Sequence, residues 1–107
     1  MVYQISPEEL KALLDKDEPV FLLDVRQPWE HETASLPDSV LIPLGELPQR
    51  ANEVPQDKGL VVVYCHHGVR SLSGAAILEA SGHDRVASLA GGTDRWSLCV
   101  DPALARY

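Results

Sequence analysis

Basic residues, cysteines and long apolar runs are all scarce in this chain. Nine Lys and Arg stand against sixteen Asp and Glu, a formal net charge of −7. Phosphate backbones are gripped by clustered Lys and Arg, so this balance argues against nucleic acid as a partner. No block of like charges marks a solvated tail. Two cysteines, Cys65 and Cys99, are too few for a disulfide framework and suit a reduced, cytoplasmic protein. Met1 to Ser6 carry neither a basic region nor a long apolar run, which argues against a signal peptide or a membrane span. Internal repeats and low-complexity segments are missing too.

What is present is ordinary for a globular protein. The 107 residues, 45% of them hydrophobic, suffice for one domain and one core, with no room for a second. Val2 to Ile5 reads as an edge strand. Ser6-Pro7-Glu8-Glu9 starts a helix: Ser6 caps, Pro7 suits the first helical position and Glu9 completes a capping box. Ile5 and Leu10 are spaced as a hydrophobic staple, and the helix should run to about Asp15. Val20 to Val25 is nearly all apolar, the mark of a strand buried on both faces and hence parallel. Asp24 breaks that run and needs partners. Trp29 to Thr33 reads as a short helix, Ser39 to Ile42 as a strand closed by Pro43, and Leu44 to Glu53 as one or two short helices. Leu60 to Tyr64 is the central strand, Leu72 to Ser81 a helix, Val86 to Leu89 a last strand and Thr93 to Leu98 a last helix. The tail from Val100 to Tyr107 has no clear signal. Strands alternate with helices, which predicts a parallel α/β sheet covered on both sides.

Cys65-His66-His67-Gly68-Val69-Arg70-Ser71 lies between the central strand and the helix after it. In open α/β sheets, ligands bind at the carboxyl ends of the strands. The helix N-terminus there offers unpaired N–H groups to an anion. Gly68 permits a positive φ, so successive N–H groups can converge as an anion nest, and Arg70 adds fixed positive charge. A thiol so placed should lose its proton more readily than a free one. His66 and His67 are neighbours, which rarely ligate one ion together, and no second Cys/His pair has zinc-like spacing, so no metal is expected. They should line the pocket rim. His31 and His83 are expected at the surface. Cys99 is expected in the core, with a role as resolving partner of Cys65 left open.

The Cys65 to Ser71 loop resembles the active-site loop of the rhodanese family of sulfurtransferases. Leu22-Leu23-Asp24-Val25-Arg26-Gln27-Pro28-Trp29-Glu30 is similar to that family's first signature, and Ile42-Pro43-Leu44 fits its continuation. Gly91-Gly92-Thr93-Asp94-Arg95-Trp96 is similar to its C-terminal signature. One stretch departs: Ala34-Ser35-Leu36-Pro37-Asp38-Ser39 stands where the family often has Gly-His-Ile-Pro-Gly-Ala. The resemblance implies a single rhodanese domain over 1–107, with a five-stranded, mainly parallel sheet and helices on both faces. It implies that Cys65 is the nucleophile, passing through a persulfide, with thiosulfate or another sulfane donor and a cyanide, thiol or protein acceptor, and no cofactor. His66, His67, Gly68, Val69, Arg70 and Ser71 would bind the donor. Asp24 and Arg26 would support the site from the neighbouring strand.

Two rivals stand beside this reading. A cysteine phosphatase or arsenate reductase uses a related loop with one more residue between Cys and Arg than the four here, His66 to Val69. It also needs a general acid; Asp38 could be proposed, but nothing in the sequence places it there. The other rival is a non-catalytic rhodanese-like binding or sulfur-carrier module, but such a chain usually loses the cysteine.

Overall fold

The structure, a computed structural model, describes residues 2–107. Five strands form one sheet: β1 (Tyr3–Ile5), β2 (Val20–Asp24), β3 (Val40–Leu41), β4 (Leu60–Tyr64) and β5 (Val86–Leu89). Their order is β1-β5-β4-β2-β3, and every pairing is parallel. The helices are α1 (Pro7–Asp15), α2 (Pro28–Thr33), α3 (Leu47–Arg50), α4 (Arg70–Ala80) and α5 (Gly92–Cys99), with 3-10 turns flanking α3.

Alternation along the central strand divides the hydrophobic core into two layers, one on each face of the sheet. Val61, Val63 and Cys65 point to one face, with Leu47, Ala75 and Leu78 from α3 and α4. Val62 and Tyr64 point to the other, with Leu10 from α1 and Trp96 from α5. A strand sandwiched this way must be apolar throughout, which is what the sequence of β4 provides. The capping box of α1 forms as expected: the Glu9 N–H donates to Ser6 Oγ at 3.0 Å and the Ser6 N–H to Glu9 Oε1 at 2.9 Å.

Several expectations need correction. The third strand pairs over Val40–Leu41 only. Beyond it Ile42 and Leu44 still donate to the carbonyls of Asp24 and Val25, but Pro43 between them has no N–H to give. His83 is 4% exposed, not a surface residue; its ring nitrogens sit 3.2 Å from the Leu78 carbonyl and 2.8 Å from that of Val54. Cys99 is exposed, not in the core. It lies two residues past buried Ser97, on the opposite side of α5.

The departure at Ala34 to Ser39 keeps its turn. Asp38 takes φ +61°, a left-handed conformation that Asp tolerates better than most residues. Ala34 is extended, at φ −159°, where glycine has no advantage.

Candidate active site

Cys65 follows the last residue of β4, at the carboxyl edge of the sheet between β5 and β2. The loop after it curls back over the sulfur. Gly68, at φ +92°, turns its N–H onto Cys65 Sγ at 3.1 Å. A Cβ on Gly68 would lie 2.9 Å from the Gly91 nitrogen, so the position excludes side chains twice over. The Ser71 N–H also points at Sγ, at 3.3 Å. Helix α4 begins at Arg70, two residues earlier than expected, so Ser71 lies in its first turn, where N–H groups have no partner within the helix. The Ser71 hydroxyl lies 3.5 Å from Sγ and 2.7 Å from the Ser88 hydroxyl on β5. Donors so aimed can stabilise negative charge on, or one bond beyond, the sulfur.

The other wall is α5. The N–H groups of Thr93 and Asp94 donate to the carbonyls of Cys65 (2.8 Å) and His66 (3.1 Å). Gly92, at φ +59°, makes this approach possible: a Cβ there would stand 2.3 Å from the Cys65 carbonyl oxygen. The Gly91-Gly92 pair therefore lets one backbone lie directly on another.

The remaining loop side chains divide: Val69 and His67 face solvent, while His66 packs inward. Val69 is 71% exposed. His66 and His67 stack at 4.1 Å between ring centroids, and His66 also meets Tyr107 at 4.1 Å. Burial, followed by the adjacent His67, pushes the His66 pKa down. Asp94 lies 4.0 Å from His66 Nε2 and 3.9 Å from His67 Nε2, a group of three potential ligands that sequence spacing did not suggest. Arg106 already holds that carboxylate, with Nε 2.9 Å from Oδ1.

Asp24 and Arg26 form a buried pair below the loop, both without exposure. Arg26 Nε and Nη2 donate to the two carboxylate oxygens at 2.8 and 2.7 Å, and Nη2 also donates to the Ala34 carbonyl. Burial works against the Arg26 charge, but the Asp24 carboxylate outweighs it and the pKa rises. His31, expected at the surface, is half-buried, with Nδ1 2.8 Å from Asp24 Oδ2.

Arg70 is not free. Its Nη1 and Nη2 donate to Glu30 Oε1 and Oε2 at 2.8 and 2.9 Å, a bidentate pair. The Tyr107 hydroxyl donates to Glu30 Oε2 at 2.7 Å and accepts from Arg26 Nη1 at 2.7 Å. The Arg70 guanidinium, together with the Gln27 N–H and Tyr107, outweighs burial and pushes the Glu30 pKa down to about 2. Sequence reasoning missed Glu30, Tyr107 and Ser88. Glu30 stood in the expected Trp29 to Thr33 helix, but its reach to Arg70, forty positions on, was not legible. Tyr107 sits in a tail without periodicity.

A loop of this kind, with its sulfur at the carboxyl end of a central parallel strand, defines a cysteine-loop α/β domain. The chain belongs to the rhodanese-like family, whose domain model matches residues 6–99. It is 38% identical to a sulfurtransferase of Allochromatium vinosum, over 91% of this chain and 90% of the relative. It is 39% identical to the thiosulfate sulfurtransferase GlpE of Pseudomonas syringae pv. syringae, over 87% and 85% of the two chains. Other relatives are longer, and the chain spans 50% of one and 26% of another. A crystal structure of a rhodanese-related protein from Thermoplasma volcanium superposes with a TM-score of 0.84 at 27% identity, covering 98% of this chain and 99% of that one.

Proposed function

We propose that this chain, read as a single domain over 1–107, is a sulfurtransferase that carries a sulfane sulfur as a persulfide on Cys65. The Cys65 thiolate attacks the outer sulfur of the donor, the donor's S–S bond breaks, and the leaving group departs with the electron pair. With thiosulfate that group is sulfite. A thiol, cyanide or a protein thiolate then attacks the terminal persulfide sulfur and restores Cys65. The observation that carries this reading is the pair of amide donors, Gly68 and Ser71, at 3.1 and 3.3 Å from Sγ. Donors on Sγ favour the thiolate, the form that attacks a sulfane sulfur. Val69 and the His66–His67 stack form the rim that the donor meets, and Asp24 with Arg26 fixes the neighbouring strand end. Both cysteines are free, which fits a reducing compartment such as the cytoplasm.

The phosphatase rival fares worse on the same geometry. A phosphate brings three further oxygens, each wanting its own donor. Here Arg70 is bound to Glu30, and the loop is one residue short. Turnover with a sulfane donor and cyanide, beside an aryl phosphate assay, separates the two. Sulfur transfer without phosphatase activity is expected. Aryl phosphate turnover that equals it and disappears in Cys65→Ser would favour the rival.

A further inference from the structure

We propose that Glu30 determines the choice of sulfur donor by masking Arg70, so that the chain takes sulfur from a thiol persulfide in preference to thiosulfate. The inference rests on the sulfurtransferase reading above. Thiosulfate is a dianion, and its sulfonate must come to rest beside the sulfur being attacked. Arg70 is the loop's own cation, and it opens α4 directly before Ser71, whose N–H and hydroxyl face the Cys65 sulfur. Its guanidinium, though, spends two N–H groups on Glu30. Glu30 is hard to displace: its side chain is 5% exposed, it accepts from the Gln27 N–H at 3.0 Å, and the Tyr107 hydroxyl holds it from the far side. The neighbouring cation, Arg26, is wholly buried and already paired with Asp24. A sulfonate therefore meets an arginine already paired with a buried carboxylate. A persulfide brings no sulfonate. The Cys65 thiolate attacks its outer sulfur, the S–S bond breaks, and a thiolate leaves with the electron pair, taking up a proton from solvent.

The test compares kcat/KM for thiosulfate with that for 2-hydroxyethyl persulfide, which is uncharged apart from its reacting end. In Glu30→Gln the thiosulfate-to-persulfide ratio should rise about fivefold or more, through a lower KM for thiosulfate. In an Arg70→Gln background the same change should leave the ratio where it was, because no cation is left to unmask. A ratio that does not rise in Glu30→Gln, or rises equally without Arg70, overturns the proposal while leaving sulfur transfer intact. If Glu30→Gln does not fold, Tyr107→Phe decides: losing the hydroxyl loosens Glu30, and the ratio should rise about twofold; no rise overturns the proposal. A wild-type protein that neither donor can persulfidate overturns the sulfurtransferase reading and this inference with it.

Discussion

At the scale of single residues, the fold decides which side chains are able to act. Cys65 has amide donors on its sulfur, whereas Cys99 stands in solvent at the end of α5. Cys65→Ser should abolish sulfur transfer, and Cys99→Ser should retain most of it in a steady-state assay with cyanide as acceptor. Survival of activity without Cys65 would contradict the mechanism. Cys65 and Gly68 were legible in the sequence because local rules govern them, a strand end and a residue that must take positive φ, whereas the Ser71 amide comes from a helix that starts two residues earlier than expected. Glu30, Tyr107 and His83 were not, because each acquires its partners across the fold. The Glu30 carboxylate looks like one more surface charge until α2 and α4 are brought side by side.

At the scale of elements, the close pairing of the Cys65 loop with the start of α5 holds the site in shape. Gly92→Ala forces a Cβ into the Cys65 carbonyl at a positive-φ position. We expect a loss of about 2 kcal/mol or more, seen as a melting point lower by roughly 10 °C. Sulfur transfer should fall further than the folded fraction, because the loop that carries the donors must shift. A variant with unchanged melting and unchanged turnover would mean that this approach is not tight. Element identities were readable from patterning, whereas their ends depended on backbone partners. Pro43 shortened β3, and helix α4 started early enough to spend its first amides on a sulfur. The Ala34 to Ser39 turn survived its lost glycines because Asp38 supports the left-handed conformation itself.

At the scale of the whole molecule, one half-buried charge pair links the site to stability. The Glu30 carboxylate, held at about 2 by Arg70 in the fold, returns to an ordinary carboxylate pKa near 4.5 on unfolding. A carboxyl depressed in the folded state stabilises fully above its unfolded pKa, and that stabilisation is lost as pH falls toward the folded value. The pair should contribute about 2 kcal/mol, after allowance for the solvent that reaches Arg70. Urea unfolding from pH 6 down to about pH 2 should show wild type losing its advantage over Glu30→Gln progressively below roughly pH 4.5. A gap that stays constant across that range would place the stabilisation elsewhere.

The central claim is that Cys65 carries the sulfur, and intact-protein and peptide mass spectrometry test it most directly. Protein exposed to 2-hydroxyethyl persulfide or to thiosulfate, then freed of donor, should gain the mass of one sulfur atom on the peptide containing Cys65. Cyanide should remove it as thiocyanate, and Cys65→Ser should gain nothing. An added sulfur found only on the Cys99 peptide, or none on either cysteine with both donors, would contradict the account.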